Sequence, residues 1–251
     1  MDAAAGSGIQ LSQVSKRFGA LAALDGVTLA VPAHTVTGVV GPSGCGKSTL
    51  LELIAGLEQP TAGTVAVAGS TDPAGRLDHC ALMPQSDLLL PWRDALANAA
   101  VALENAGQGA RGARTEARPL FARLGLEGFE RSRTWELSGG MRQRVAFART
   151  LLAGKDVLLF DEPFGALDAI TRAELQGWLR AALHERPQTA VLVTHDVEEA
   201  LLVCDRVAVM SARPGRIVLE VEAGFGDGDR ADTIASPAFV TARMRAMEAL
   251  R

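Results

Sequence analysis

No stretch of the 251-residue sequence approaches the roughly 18 to 20 consecutive apolar residues that cross a bilayer, although 48% of the residues are hydrophobic. Any membrane role must therefore be borrowed from another chain. An excess of positive charge is missing as well: 25 Lys and Arg stand against 29 Asp and Glu, mixed along the chain, for a formal charge of -4. That leaves no basic face for nucleic acid, which is not an expected partner. Arg111, Arg114 and Arg118 cluster but have no aromatic residues between them, so they read as a solvated loop and helix face. Met1 to Gly8 is acidic and Ala/Gly-rich, without the basic start or apolar centre of a signal peptide; a disordered start to a cytoplasmic protein is expected. The three cysteines, Cys45, Cys80 and Cys204, are odd in number and lack metal-ligand spacing, which suits reduced thiols. The length is enough for one large domain, or a core with a sub-domain, that needs no covalent staples.

What is present centres on Gly41-Pro42-Ser43-Gly44-Cys45-Gly46-Lys47-Ser48-Thr49. It follows the apolar run Val36 to Val40 and precedes a helical pattern from Leu50 to Leu57, the context the GxxxxGK[ST] phosphate loop requires. Glycines let successive N–H groups curl around an anion, and the following helix offers its positive end. Lys47 is placed for β- and γ-phosphates, Ser48 for Mg²⁺ and Thr49 for a further phosphate contact. Cys45 reads as a small loop residue rather than a redox switch.

Around this loop the chain alternates strand and helix patterns, which predicts a mainly parallel α/β core. Ile9 to Ser15 and Val27 to Val31 read as strands of a small antiparallel layer, with turns at Phe18-Gly19 and Asp25-Gly26. Phe18 by itself reads better as a core residue than as an aromatic free to stack on a base. Short strands are expected at Thr64 to Val67 and His79 to Met83, then helical patterns interrupted by Glu104 to Arg118. Ser138 caps a long helix through Leu152, and the glycines beside it make a second anion site. Val157 to Phe160 is a strand buried on both faces that delivers Asp161 and Glu162 to its C-terminal edge, where α/β folds bind ligands. Asp161 suits a Mg²⁺ ligand, and Glu162 suits the base that orients and deprotonates water. Ala190 to Val193 repeats the design and ends at Thr194-His195-Asp196; Val207 to Met210 and Ile217 to Val221 close the set. Gly224 to Asp229 reads as a flexible linker before a helix capped by Ser236-Pro237 that carries Phe239, Val240, Met244, Met247 and Leu250.

With Leu137-Ser138-Gly139-Gly140-Met141-Arg142-Gln143-Arg144 as its most specific part, the chain from about Ile9 to Val221 resembles the ATP-binding subunit of an ABC transporter. The resemblance implies a P-loop NTPase (RecA-like) core with a mainly parallel sheet, an antiparallel β layer at its N-terminus and an inserted helical sub-domain at about 86–153. The cassette would span 9–222, after a disordered 1–8 and before a linker and helix at 223–251. It gives Phe18 to adenine stacking, Gly41 to Thr49 to the Walker A loop and Gln85 to the Q-loop. Val157 to Glu162 corresponds to Walker B, Gly165 to Asp168 to the D-loop and His195 to the switch histidine. ATP and Mg²⁺ are the implied cofactors, with Ser48, Gln85 and Asp161 on the metal and Glu162, His195, Lys47 and Gln85 as the catalytic set. Asp168 and the Ser138, Gly139 and Gly140 group join the nucleotide site.

One chain cannot place its own signature glycines on its own P-loop phosphates. The resemblance implies a head-to-tail homodimer in which ATP is sandwiched, closing and opening to drive transmembrane permease subunits docked near Gln85 to Trp92. A solute-binding protein is an indirect partner, and the location is the cytoplasmic face of the membrane. Leu89 to Arg93, Phe164 to Arg172 and Arg213 to Ile217 look like the importer group for nitrate, sulfonates, taurine or thiamin pyrimidine precursors, and the short tail leaves no room for a regulatory domain. Three positions depart from the pattern: Met141 for glutamine, Phe18 for tyrosine and Pro84 for an aromatic. Pro84 stiffens the entry to the Q-loop. The alternative is a soluble ABC ATPase without a membrane partner. A coiled-coil insertion of the repair type has no space in the 52 positions from Gln85 to Leu137, and translation-type members carry two cassettes. A small-molecule kinase would not need the signature, and Glu162 with His195 argues against an assembly subunit that binds ATP without cleaving it.

Overall fold

The computed structural model describes residues 8–185, 188–225 and 229–251. The expected disordered start, apart from Gly8, and residues 226–228 of the expected linker lie outside the described residues.

The N-terminal layer opens with β1 (Ile9–Phe18) and β2 (Leu21–Val31). Both strands are longer than the sequence suggests, because the chain reverses at Gly19-Ala20 and Asp25-Gly26 falls inside β2. Gly26 absorbs an irregularity in the pairing with φ 63°, and its N–H donates to Ser15 Oγ at 2.9 Å. Next come β3 (Val36–Val40) and α1 (Lys47–Ala55), joined by the phosphate loop. β4 (Ala62–Val67) returns to the first layer, completing the antiparallel order β2-β1-β4.

A short helix that shows no apolar period in sequence, α2 (Pro73–His79), is set by local chemistry: Asp72 accepts from Gly75 N at 3.0 Å and Pro73 fixes the first turn. It takes His79 out of β5, which is Cys80–Met83. Then follow α3 (Ala95–Asn105), α4 (Ala110–Arg123) and α5 (Gly139–Leu151). The Glu104 to Arg118 segment is therefore mostly helix rather than interruption. Ala113, Ala117 and Phe121 give α4 a buried stripe, while Arg111, Arg114 and Arg118 face outward as expected or pair at the surface.

The remaining elements are β6 (Val157–Asp161), α6 (Ala169–Glu185), β7 (Thr189–Thr194), α7 (Val197–Val203), β8 (Arg206–Met210) and β9 (Ile217–Glu222). After them come α8 (Arg230–Ala235), unforeseen in sequence, and α9 (Pro237–Ala249), capped by Ser236 as expected. Phe239 is buried on α9, while Met244 and Met247 are 54% and 52% exposed.

The main sheet has the order β5-β6-β7-β3-β8-β9, parallel except for β9. β3, β6 and β7 are buried at every residue, and alternate side chains feed two cores. Leu158, Phe160 and Leu192 pack with α3 to α7 and α9; Leu159, Val191 and Val193 pack with α1 and the antiparallel layer. The sheet's C-terminal edge, where Asp161, Glu162 and His195 emerge, is thereby fixed from both sides.

Candidate nucleotide site

The phosphate loop is built by close approach. Gly46, at φ 111°, has Ala23 O and a Leu24 methyl where a Cβ would sit, at 2.9 and 2.7 Å, so the loop adopts a bend closed to other residues. Lys47 is 6% exposed, and its Nζ donates to Gly41 O at 2.8 Å and Pro42 O at 3.1 Å. Cys45 is buried, and that burial pushes its thiol up from the ordinary value, so it is neither exposed nor ionised for redox chemistry.

A cavity of about 340 Å³ is lined by Phe18, Leu21, Ser43, Gly44, Gly46, Lys47, Ser48, Thr49, Gln85, Asp161, Glu162 and Arg213. Phe18 is 44% exposed at the end of β1, with Lys16 Nζ 4.8 Å from its ring centroid. It is not a core residue, and the stacking role implied by the resemblance has the exposed ring it needs.

The acidic edge follows. Asp161 is 6% exposed, and burial raises its pKa against a hydrogen bond from Ser48. Glu162 stands at φ 49°, an uncommon conformation for a side chain of its size. Its N–H donates to Val193 O at 2.8 Å, its carbonyl accepts from Gln143 Nε2 at 2.9 Å and from Gly165 N at 3.2 Å, and Gln85 Nε2 approaches Oε2 at 3.3 Å. His195 Nδ1 lies 3.2 Å from Glu162 Oε1. His195 and the Gln85 amide therefore meet on the one carboxylate of Glu162.

A second cavity of about 560 Å³ lies alongside, lined in part by Gln85, Asp87, Gly139, Arg142, Glu162 and His195. Ser138, Gly140 and Asp168 line neither cavity. Ser138 caps α5 by accepting from Met141 N at 3.2 Å. Asp168 caps α6, accepting from Thr171 N at 3.0 Å and Ile170 N at 3.2 Å, and the hydrogen bonds from Thr171 hold its carboxyl below the usual range. Gly139 lines the second cavity and not the one that holds the phosphate loop.

Oxygen donors dominate the candidate metal site: the Ser48 hydroxyl, the buried Asp161 carboxylate and the Gln85 amide line the same cavity. Such a set suits Mg²⁺, which takes one or two protein oxygens and completes its shell with phosphate and water. Among the described residues no group of three or more His, Cys, Asp or Glu could hold a metal by itself.

Sequence reasoning missed four residues here. Gln143 bridges Glu162 to Ala166, whose N–H donates to its Oε1 at 2.9 Å. Arg142 and Arg149 tie α5 to the Q-loop, with Arg142 Nε 2.9 Å from Asp87 Oδ2 and Arg149 Nη2 2.7 Å from Asp87 O. Arg213 Nε donates to Gly44 O at 2.9 Å at the rim of the phosphate loop. The hint for Gln143, Arg142 and Arg149 was their place on the helix that the signature opens; Arg213 stood in a segment read only for its likeness to the importer group, with nothing local to signal its reach to Gly44.

Fold and site together define a P-loop nucleotide-binding protein. Residues 24–165 match the model of the ABC transporter family, a span that includes the phosphate loop, Gln85, the signature and Glu162 but not Phe18, Asp168 or His195. The chain belongs to the ABC transporter family, as one of the cassettes whose ATPase activity is coupled to transport. It is 42% identical over 247 residues to the aliphatic sulfonates import ATP-binding protein SsuB of Burkholderia ambifaria, covering 98% of this chain and 72% of that protein. Identity is 48% over 204 residues with SsuB 1 of Rhodococcus jostii, covering 81% and 79%. With the taurine import ATP-binding protein TauB of Yersinia pestis bv. Antiqua it is 39% over 226 residues, covering 88% of each. Among solved structures, the dimeric bacterial ABC transporter cassette MJ0796 superposes with a TM-score of 0.78 at 30% identity, covering 85% of this chain and 98% of that one. A post-hydrolysis state of that cassette bound to ADP and Pi superposes at 0.76.

Proposed function

We propose that this chain is the ATP-hydrolysing subunit of an importer for small organic sulfonates, taurine and alkanesulfonates being the class. The observation that carries this is 39–48% identity, over most of the chain, to proteins named for importing those two kinds of solute. Their cargoes share a sulfonate group, which narrows the wider group of nitrate, sulfonate and pyrimidine-precursor importers.

Two copies would sandwich ATP head to tail, with Phe18 against the adenine. Lys47 and the loop N–H groups of Gly44 to Thr49 would bind the phosphates, while Ser138, Gly139 and Gly140 of the partner copy would close over the γ-phosphate. Ser48, Asp161 and Gln85 would hold Mg²⁺, which supplies charge neutralisation between the phosphates. Glu162 takes a proton from the attacking water, and His195, on the same carboxylate, orients it. Asp168 would lie near the partner's site. Supporting the docking of a permease at Gln85 to Trp92, Leu88 and Trp92 are 63% and 70% exposed there, and Arg142 and Arg149 couple that loop to α5. No helix among the described residues is long and apolar enough to cross a membrane, so attachment to the cytoplasmic face would come through the permease. A solute-binding protein would deliver cargo on the far side.

The test is co-purification of tagged Glu162→Gln from detergent-solubilised membranes of the native host with ATP present, followed by mass spectrometry. A polytopic membrane protein in stoichiometric amount is expected, together with loss of growth on taurine or an alkanesulfonate as sole sulfur source when the gene is deleted. Recovery without any membrane protein would move the weight to a soluble ABC ATPase. Normal growth on both sulfur sources would reject the cargo.

A further inference from the structure

Glu199, on α7, is 5% exposed, and the hydrolysis chemistry does not touch it. A buried carboxylate persists only with partners, and its partners lead to the switch histidine. The Thr194 hydroxyl holds the Glu199 carboxyl down against the upward push of burial. The same Thr194 Oγ1 accepts from Asp196 N at 3.1 Å, and Asp196 Oδ1 accepts from Glu198 N and Glu199 N at 2.9 and 3.1 Å. Both neighbours of His195 are thus anchored in one hydrogen-bonded unit.

His195 itself is weakly held. Its side chain is 62% exposed, and its polar contact is the 3.2 Å approach to Glu162. Its direction is therefore set by the backbone on either side, which is where Thr194 and Asp196 act. On the far side of Glu199, Gln176 Nε2 of α6 donates to Oε2 at 3.1 Å, and Gln176 Oε1 accepts from Arg230 Nη1 at 2.9 Å. Gln176 and Thr194 are each 2% exposed, so neither has water to substitute for these partners. Arg172, also on α6, attracts Glu199 and donates to Leu167 O at 3.0 Å, joining the same unit to the turn that follows Glu162.

We propose that Glu199 is a positioning residue for ATP hydrolysis: with Thr194 it forms a buried brace that aims His195 at Glu162, and Gln176 extends the brace to Arg230 of the C-terminal segment. This rests on the reading of His195 as a residue of the hydrolytic step. The brace acts on the chemical step and leaves nucleotide binding alone, because none of its members lines the phosphate cavity.

The full-length protein distinguishes the possibilities through ATP affinity, measured with a fluorescent analogue, and single-turnover hydrolysis. Thr194→Val keeps the volume and removes the hydroxyl; it should lower the hydrolysis rate about tenfold with affinity changed less than about twofold. Thr194→Ser should restore most of the rate, and Arg230→Met should lower it about two- to threefold. In a His195→Ala background Thr194→Val should add nothing, since the brace works through that side chain. A wild-type rate in Thr194→Val, a full additional loss in the His195→Ala background, or rate and affinity falling together would overturn the brace while leaving His195 in its role. A wild-type rate in His195→Ala would overturn both. Arg230 lies outside the core, so its variant decides the matter should Thr194→Val fail to fold: an unchanged rate there would then overturn the brace.

Discussion

The side chain of Gln143 donates to the carbonyl oxygen of Glu162 at 2.9 Å, holding from the signature helix a residue whose φ is 49°. The same amide accepts from Ala166 N at 2.9 Å, so both ends of the turn after β6 are tied to one side chain that is 7% exposed. Signature and candidate base are parts of one rigid unit.

Gln143→Ala removes one of two donors to the Glu162 carbonyl, which keeps Gly165 N–H at 3.2 Å, and the side-chain partner of the Ala166 N–H, a loss of about 1 kcal/mol for each hydrogen bond. Lower stability in urea unfolding is expected, with hydrolysis reduced more than ATP affinity. An ATPase rate equal to wild type would show that Glu162 keeps its geometry without this support.

Glu162→Gln preserves shape and removes the base. Hydrolysis should fall by about 10²- to 10⁴-fold, while ATP affinity stays and an ATP-dependent dimer accumulates in size-exclusion chromatography. A monomer under saturating ATP would contradict the sandwiched arrangement.

Glu199 supplies a pH dependence of stability. Burial, countered in part by the Thr194 hydrogen bond, pushes its carboxyl up from 4.5 to about 6. The folded state therefore binds more protons than the unfolded state across that window, and the contribution of this group to stability falls as pH rises through it. The cost is absent well below pH 4.5 and reaches about 2 kcal/mol by pH 7. Glu199→Gln cannot titrate, so its stability relative to wild type should climb by about that amount between pH 4 and 7, whatever constant offset the amide introduces. Parallel stability curves for the two proteins would refute this.

Gly56 ends α1 at φ 81°, with Pro73 O only 2.2 Å from where a Cβ would lie. Gly107 has φ 95° and open space around it. Gly56→Ala should destabilise by more than about 2 kcal/mol, because a clash with backbone is added to the strained φ, and Gly107→Ala by about 1 kcal/mol from strain alone. Thermal unfolding of the two variants measures the difference; equal losses would mean that the α1–α2 junction yields.

Much of the site was legible because its chemistry is local. The loop from Gly41 to Thr49, the acids at the end of β6 and the Ser138 cap each depend on residues within a few positions of one another, so their pattern survives in a linear string. The continuous apolar runs of β3, β6 and β7 likewise announced a sheet covered on both faces. Less visible were α2 and α8, short helices set by Asp72 and Asp229 caps without an apolar period, and the inward extent of β2, which runs through a glycine that a turn would also use.

By itself, then, the sequence determined a nucleotide loop, the acids that face it and a signature that assigns the family, since each is a contiguous arrangement of backbone and side chain. Only the tertiary structure decided which distant residues meet there. Gln143 reaches Glu162 across 19 positions and Gln85 across 77, and Arg213 reaches Gly44 across 169. Such contacts depend on sheet order and helix packing, in which strands distant in the chain become neighbours. No local pattern encodes that order.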